Sequence, residues 1–154
     1  MFTNSSRQKS LSVYHLHMGG PDAAALEWQS LKTPRFDARV KATGVRFVSS
    51  AWEADVLVLT GILLATTLDT VLYELSTLPQ PALLIAAGDS VINGGQWARL
   101  EMPGLAPYPL SHYVDIQISV PGDPPTPQAL IAALAAAGER LSRPGEHLGR
   151  WQDE

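Results

Sequence analysis

Apolar residues run through this chain in two registers, and the alternation of those registers predicts its architecture. From Leu11 to Met18 the register is two. Tyr14, Leu16 and Met18 fall on one face and His15 and His17 on the other, as in a strand with unlike faces. Residues 55–60 (DVLVLT) and 82–87 (ALLIAA) are continuous apolar runs closed by Gly61 and Gly88, the signature of strands buried on both sides. Shorter strands are predicted over 45–48 and 114–120. Between them the period lengthens. Leu64, Leu68, Val71, Leu72 and Leu75 mark a helix that Pro79-Gln80-Pro81 stops. Asp22 is placed to cap a helix running from Ala23 towards Leu31, and a second short helix follows Pro34 and ends at Gly44. Pro127 opens an Ala/Leu-rich helix to Leu141, with Arg140 and Arg143 near its end to complement the helix dipole.

Strands alternating with helices, with the most apolar strands central, predict an α/β fold: a mostly parallel sheet covered by helices on both faces. Ligands of such sheets bind outside the carboxyl ends of the strands. Three Gly/Pro-rich segments lie at those ends: Gly19-Gly20-Pro21-Asp22, Gly88-Asp89-Ser90 and Pro121-Gly122-Asp123-Pro124-Pro125. They are therefore expected to converge on one edge.

Composition narrows the chemistry. A chain of 154 residues reads as one domain over 11–143, with a polar extension at 1–10 and a polar tail at 144–154. At that length about 70% of the unfolded surface is buried, enough for a core without staples. A net charge of −4 argues against nucleic-acid binding, and no run of basic residues suggests a membrane anchor. The apolar stretch 56–68 is interrupted by Gly61 and by threonines and falls short of the roughly 20 residues a bilayer span needs. Residues 1–10 lack the apolar segment of a secretory signal, so a cytoplasmic setting is expected, where the sequon Asn4-Ser5-Ser6 has no consequence. The largest constraint is the absence of cysteine, which excludes disulfides, thiolate nucleophiles and cysteine-ligated metals in this chain.

Against that absence, the motifs at the strand ends resemble those of the family containing the 20-kDa subunit of respiratory complex I and the small subunit of membrane-bound nickel–iron hydrogenases. The family's first loop reads Gly-Gly-Cys-x-x-Cys-x-x-Glu; here it is Gly19-Gly20-Pro21-Asp22-Ala23-Ala24-Ala25-Leu26-Glu27. Gly-x-Cys-x-x-x-Gly-Gly appears as Gly88-Asp89-Ser90-Val91-Ile92-Asn93-Gly94-Gly95, and Val-Pro-Gly-Cys-Pro-Pro-x-Pro as residues 120–127. The likeness runs from about Val13 to Leu134 and includes Phe47-Val48-Ser49-Ser50 and residues 54–58. It implies a flavodoxin-like three-layer sandwich. It also implies a cytoplasmic subunit, held at the membrane through its complex, between a hydrogenase-like or complex I-like large subunit and a membrane arm.

The family's four cysteine positions fall on Pro21, Ala24, Ser90 and Asp123. A [4Fe-4S] cluster is held by thiolates, and proline, alanine, serine and aspartate are no such set. The expectation is that the cluster is absent, that no other cofactor or metal replaces it, and that the chain is structural or coupling rather than catalytic alone. Ser50-Ala51-Trp52 and Gly61-Ile62-Leu63-Leu64 depart from the family's Ser-Pro-Arg and Gly-Pro-Val-Thr. Glu27 matches a family glutamate discussed in proton transfer, which makes it the one candidate proton-relay position; a glutamate near a helix N-terminus is also favoured by the dipole alone.

Other readings of the same residues compete. Gly88-Asp89-Ser90 resembles the nucleophile block of Gly-Asp-Ser hydrolases, but the Asp-x-x-His partner is replaced by Gly145-Glu146-His147 in the tail. His15 and His17 share a strand face without a third metal ligand nearby, the pattern of a packed or interface pair. Asp22, Asp89, Ser90 and Asp123 are an oxygen set for a hard cation, although aspartates in Gly/Pro loops are usually turn formers. Trp28, Trp52, Trp97 and Trp151 divide between core packing and interface anchoring. A stand-alone protein binding a small ligand, flavin or metal in the emptied pocket is the alternative.

Overall fold

The computed structural model describes residues 10–142. The expected extension over 1–9, the tail from 144, Arg143, His147 and Trp151 lie outside them.

Five parallel strands form one sheet in the order β2-β1-β3-β4-β5: β1 Leu11–His17, β2 Val45–Phe47, β3 Val56–Thr60, β4 Leu83–Ala87 and β5 Ile118–Val120. All five residues of β3 and of β4 are buried, so their side chains fill both layers. Val56 and Val58 join a core with Trp28, Leu31, Phe36, Val40, Leu130 and Leu134. Those residues come from or directly follow α1 Ala23–Ser30, α2 Pro34–Ala42 and α6 Pro127–Ser142. Leu57 and Leu59 face the other way, towards Val71 and Leu75 of α3 Leu68–Ser76, Val91 of α4 Asp89–Asn93, and Leu110. Strand alternation thus builds two cores on one sheet. The result is the α/β three-layer sandwich expected from the sequence. α5, Gly95–Arg99, completes the helices.

Two elements differ from the sequence pattern. The helix expected from Leu64 begins at Leu68, because Leu64 pairs antiparallel with Leu105, and Ala65 N–H donates to Gly104 O at 2.9 Å. The strand expected over 114–120 contracts to Ile118–Val120. Before it, the Gln117 side chain takes a strand's place: its Oε1 accepts from Leu84 N–H at 2.7 Å. Arg140 stands in the last turn of α6 as expected, and its Nη1 also donates to Gln117 O at 2.8 Å, which fastens the helix to that same segment. Glu27 lies beyond the first turn of α1, which holds no acidic residue, so the dipole argument for it fails.

Candidate functional site

Because every strand runs the same way, the loops after β1, β3, β4 and β5 emerge on one edge. β1 sits where chain order turns back on itself, with β2 on one side and β3 on the other, the switch point where such sheets open a crevice. A cavity of about 530 Å³ lies there, its wall including His17, Pro21, Asp22, Ser90, Trp97 and Asp123.

Two aspartates hold the loops in place. Asp22 caps α1 through Oδ1, which accepts from Ala24 N–H at 3.0 Å, while Oδ2 accepts from Gly61 N–H at 2.5 Å and ties the first loop to the end of β3. Asp89 Oδ1 accepts from Gly122 N–H at 2.8 Å, and Asp89 N–H donates to Gly122 O at 2.9 Å, so the loops after β4 and β5 are clasped reciprocally. The packing between loops leaves no spare room. A Cβ built on Gly88 would lie 3.0 Å from Ala24 Cβ and 3.5 Å from Pro125 Cδ.

The structure therefore brings together what the sequence placed apart. Pro21, Ser90 and Asp123 line the cavity, and Ala24 is fully buried against Gly88 behind it. Ser90 is 7% exposed. Glu27, half-buried on α1, is not on the cavity wall. The donor set at the four positions is a pyrrolidine, a methyl, a hydroxyl and a carboxylate. It does not fit a cluster that requires thiolates. Nor do the aspartates assemble a hard-cation site. Asp22 and Asp89 are committed to backbone N–H groups, and among the described residues no group of three or more His, Asp or Glu is arranged to hold a metal ion.

The two histidines, half-buried His15 and exposed His17, meet at one residue of β3. Thr60, fully buried, receives both rings: His15 Nε2 lies 2.7 Å and His17 Nδ1 3.0 Å from its Oγ1. Register explains this, since Thr60 stands directly opposite His17 across the β1–β3 pair. Burial, reinforced by the charges of His17 and Lys32, pushes His15 down from its ordinary 6.5 to about 4. The tryptophans divide by place: Trp28 is buried against His15 and Phe47, Trp52 is 66% exposed, and Trp97 stands half-buried on the cavity wall. Trp97 and His17 were legible as an aromatic and a histidine near loops, but nothing in the sequence put them on one wall.

Comparison with known proteins agrees with this architecture. The family described as NADH ubiquinone oxidoreductase, 20 Kd subunit, matches residues 22–137. Over 131 residues the chain is 30% identical to the probable membrane-bound hydrogenase subunit mbhJ of Pyrococcus furiosus, covering 85% of this chain and 75% of that one. Formate hydrogenlyase subunit 7 of Escherichia coli is 28% identical over 130 residues, 84% of this chain and 49% of its own, so the chain spans about half of that relative. A chain in the structure of the membrane-bound sulfane sulfur reductase, an archaeal respiratory membrane complex, superposes with a TM-score of 0.70 over 88% of this chain and 72% of that one. Its sequence is 23% identical, a likeness of fold.

Proposed function

Because the chain belongs to the NADH ubiquinone oxidoreductase 20 Kd subunit family, we propose that it is a cluster-less member. It serves as a structural and coupling subunit between a hydrogenase-like large subunit and a membrane arm. One observation carries the reading. The cradle is built in full, with Asp22 and Asp89 binding its loops together, while the four positions at its centre hold no thiolate. A frame kept without its ligands serves shape, and shape at a strand-end edge is what a neighbouring subunit recognises. The exposed apolar side chain of Leu26 (74% exposed) beside half-buried Trp97 on the cavity rim supports contact with protein there. Among the described residues no helix is long and apolar enough to cross a membrane, so association with a membrane would come through partners.

Gentle detergent extraction of membranes from the native host, followed by affinity isolation of the tagged chain, tests this. Identified large-subunit and membrane-arm proteins are expected in stoichiometric amounts. A chain recovered alone and monomeric would contradict the reading and favour the second one, a stand-alone binder of a small ligand, flavin or metal. That second reading draws on the open cavity and on Ser90 and Asp123 in its wall. A ligand would then raise the melting temperature in proportion to its saturation.

A further inference from the structure

The wall between the sheet and the cavity contains a hydrogen-bond chain whose direction is fixed from one end. His17 Nε2 lies 2.8 Å from Gly20 O. A carbonyl only accepts, so Nε2 carries a hydrogen, and in the neutral ring Nδ1 is then a lone pair. Thr60 Oγ1, 3.0 Å from that lone pair, donates to it. Its own lone pairs remain for His15, whose Nε2 at 2.7 Å must be the donor. The chain reads His15 N–H to Thr60 O–H to His17 N–H to Gly20 O, three donors for three acceptors. It begins in the core against Trp28 and ends on the backbone of the cavity loop.

We propose that His15, Thr60 and His17 form a proton-operated latch: protonation of His17 breaks its bond with Thr60 and frees the Gly20 carbonyl on the cavity wall, while Asp22 keeps the rest of the loop on β3. A proton arriving from solvent adds to His17 Nδ1. Both rings then point N–H groups at Thr60 Oγ1, and the threonine hydrogen loses its acceptor where Thr60 has no exposure. An unmade hydrogen bond in a buried place is strongly disfavoured. His17, itself exposed, relieves the conflict by turning outward, and Gly20 O loses its donor.

The positive charge of Lys32 helps to keep His15 neutral. Asp22 and Asp123 stand on the cavity wall. Asp22 keeps both oxygens on backbone N–H groups. β3 contributes only the Thr60 hydroxyl. His15 stays neutral down to about 4. The His17 ring also packs closely on the residue that ends β3: a Cβ on Gly61 would lie 2.8 Å from His17 Cε1.

Histidine-selective long-range proton–nitrogen spectra of the intact protein test the latch. At pH 7.5 both rings should carry their hydrogen on Nε2. From pH 7.5 to 5.5 the Gly20 and Gly61 amides and the Trp97 indole N–H should shift with one midpoint, shared with His17. His17→Gln should abolish those loop shifts. Thr60→Val should move the midpoint to higher pH, and Thr60→Ser should restore it. A hydrogen on His17 Nδ1 at pH 7.5, or loop shifts that persist in His17→Gln, would overturn the proposal. His17→Gln changes an exposed side chain, so the test holds even if Thr60→Val does not fold.

Discussion

Gly61→Ala is expected to remove about 3–5 kcal/mol of stability, a drop on the order of 10 °C in melting temperature for a domain of this size. Gly61 ends the most buried strand with φ at +91°, a conformation that L side chains rarely adopt. An added Cβ would stand 2.6 Å from Gly19 O and 3.0 Å from Gly19 N. Those are backbone atoms, and they cannot retreat without pulling β1 from β3. The same position donates to Asp22, so a shift there also loosens the α1 cap. Gly44→Ala is the control. Its φ is +78°, yet nothing lies within 4 Å of the new Cβ. It should cost only the intrinsic left-handed penalty, about 1 kcal/mol. Denaturant melts of the two variants separate close contact from backbone strain.

Acid is expected to weaken the fold through His15 before most carboxylates titrate. The folded protein holds this ring neutral down to about 4, whereas the unfolded chain protonates it near the ordinary 6.5. Between those values the unfolded state binds more protons. Stability is therefore fully present above about 6.5 and declines as the pH falls towards 4. The loss over that window is about 2–3 kcal/mol. Chemical denaturation at successive pH values should show this slope in the wild type and a much flatter one in His15→Gln, which keeps a donor for Thr60 but has no charge to gain. An equal slope in the variant would assign the acid sensitivity elsewhere.

What the sequence revealed and what it concealed follows from the range of the interactions. Residues 56–60 and 83–87 were legible as strands because burial on both faces leaves an unbroken apolar run. Asp22 was legible as a cap because capping acts within three residues. The start of α3 and the end of the last strand were not, since Leu64 is claimed by Leu105 and the Leu84 amide by the Gln117 side chain, partners 41 and 33 positions away. At the site, the convergence of Pro21, Ser90 and Asp123 was predictable from the rule that parallel strands end together. Thr60 was hidden for another reason. Its role depends on the register that sets it opposite His17, which the residues of neither strand reveal alone. Asp89 looked like a turn former or cation ligand, and its part as a clasp on Gly122 needed the spatial adjacency of β4 and β5.

Iron chemistry tests most directly whether the cradle carries a cluster. The chain should be produced anaerobically alongside an active iron–sulfur assembly system, purified without exposure to air, and assayed for iron and acid-labile sulfide. Side chains of Pro21, Ala24, Ser90 and Asp123 at the four positions predict neither above background and no cluster absorbance. Stoichiometric iron and sulfide, about four of each per chain, would contradict it.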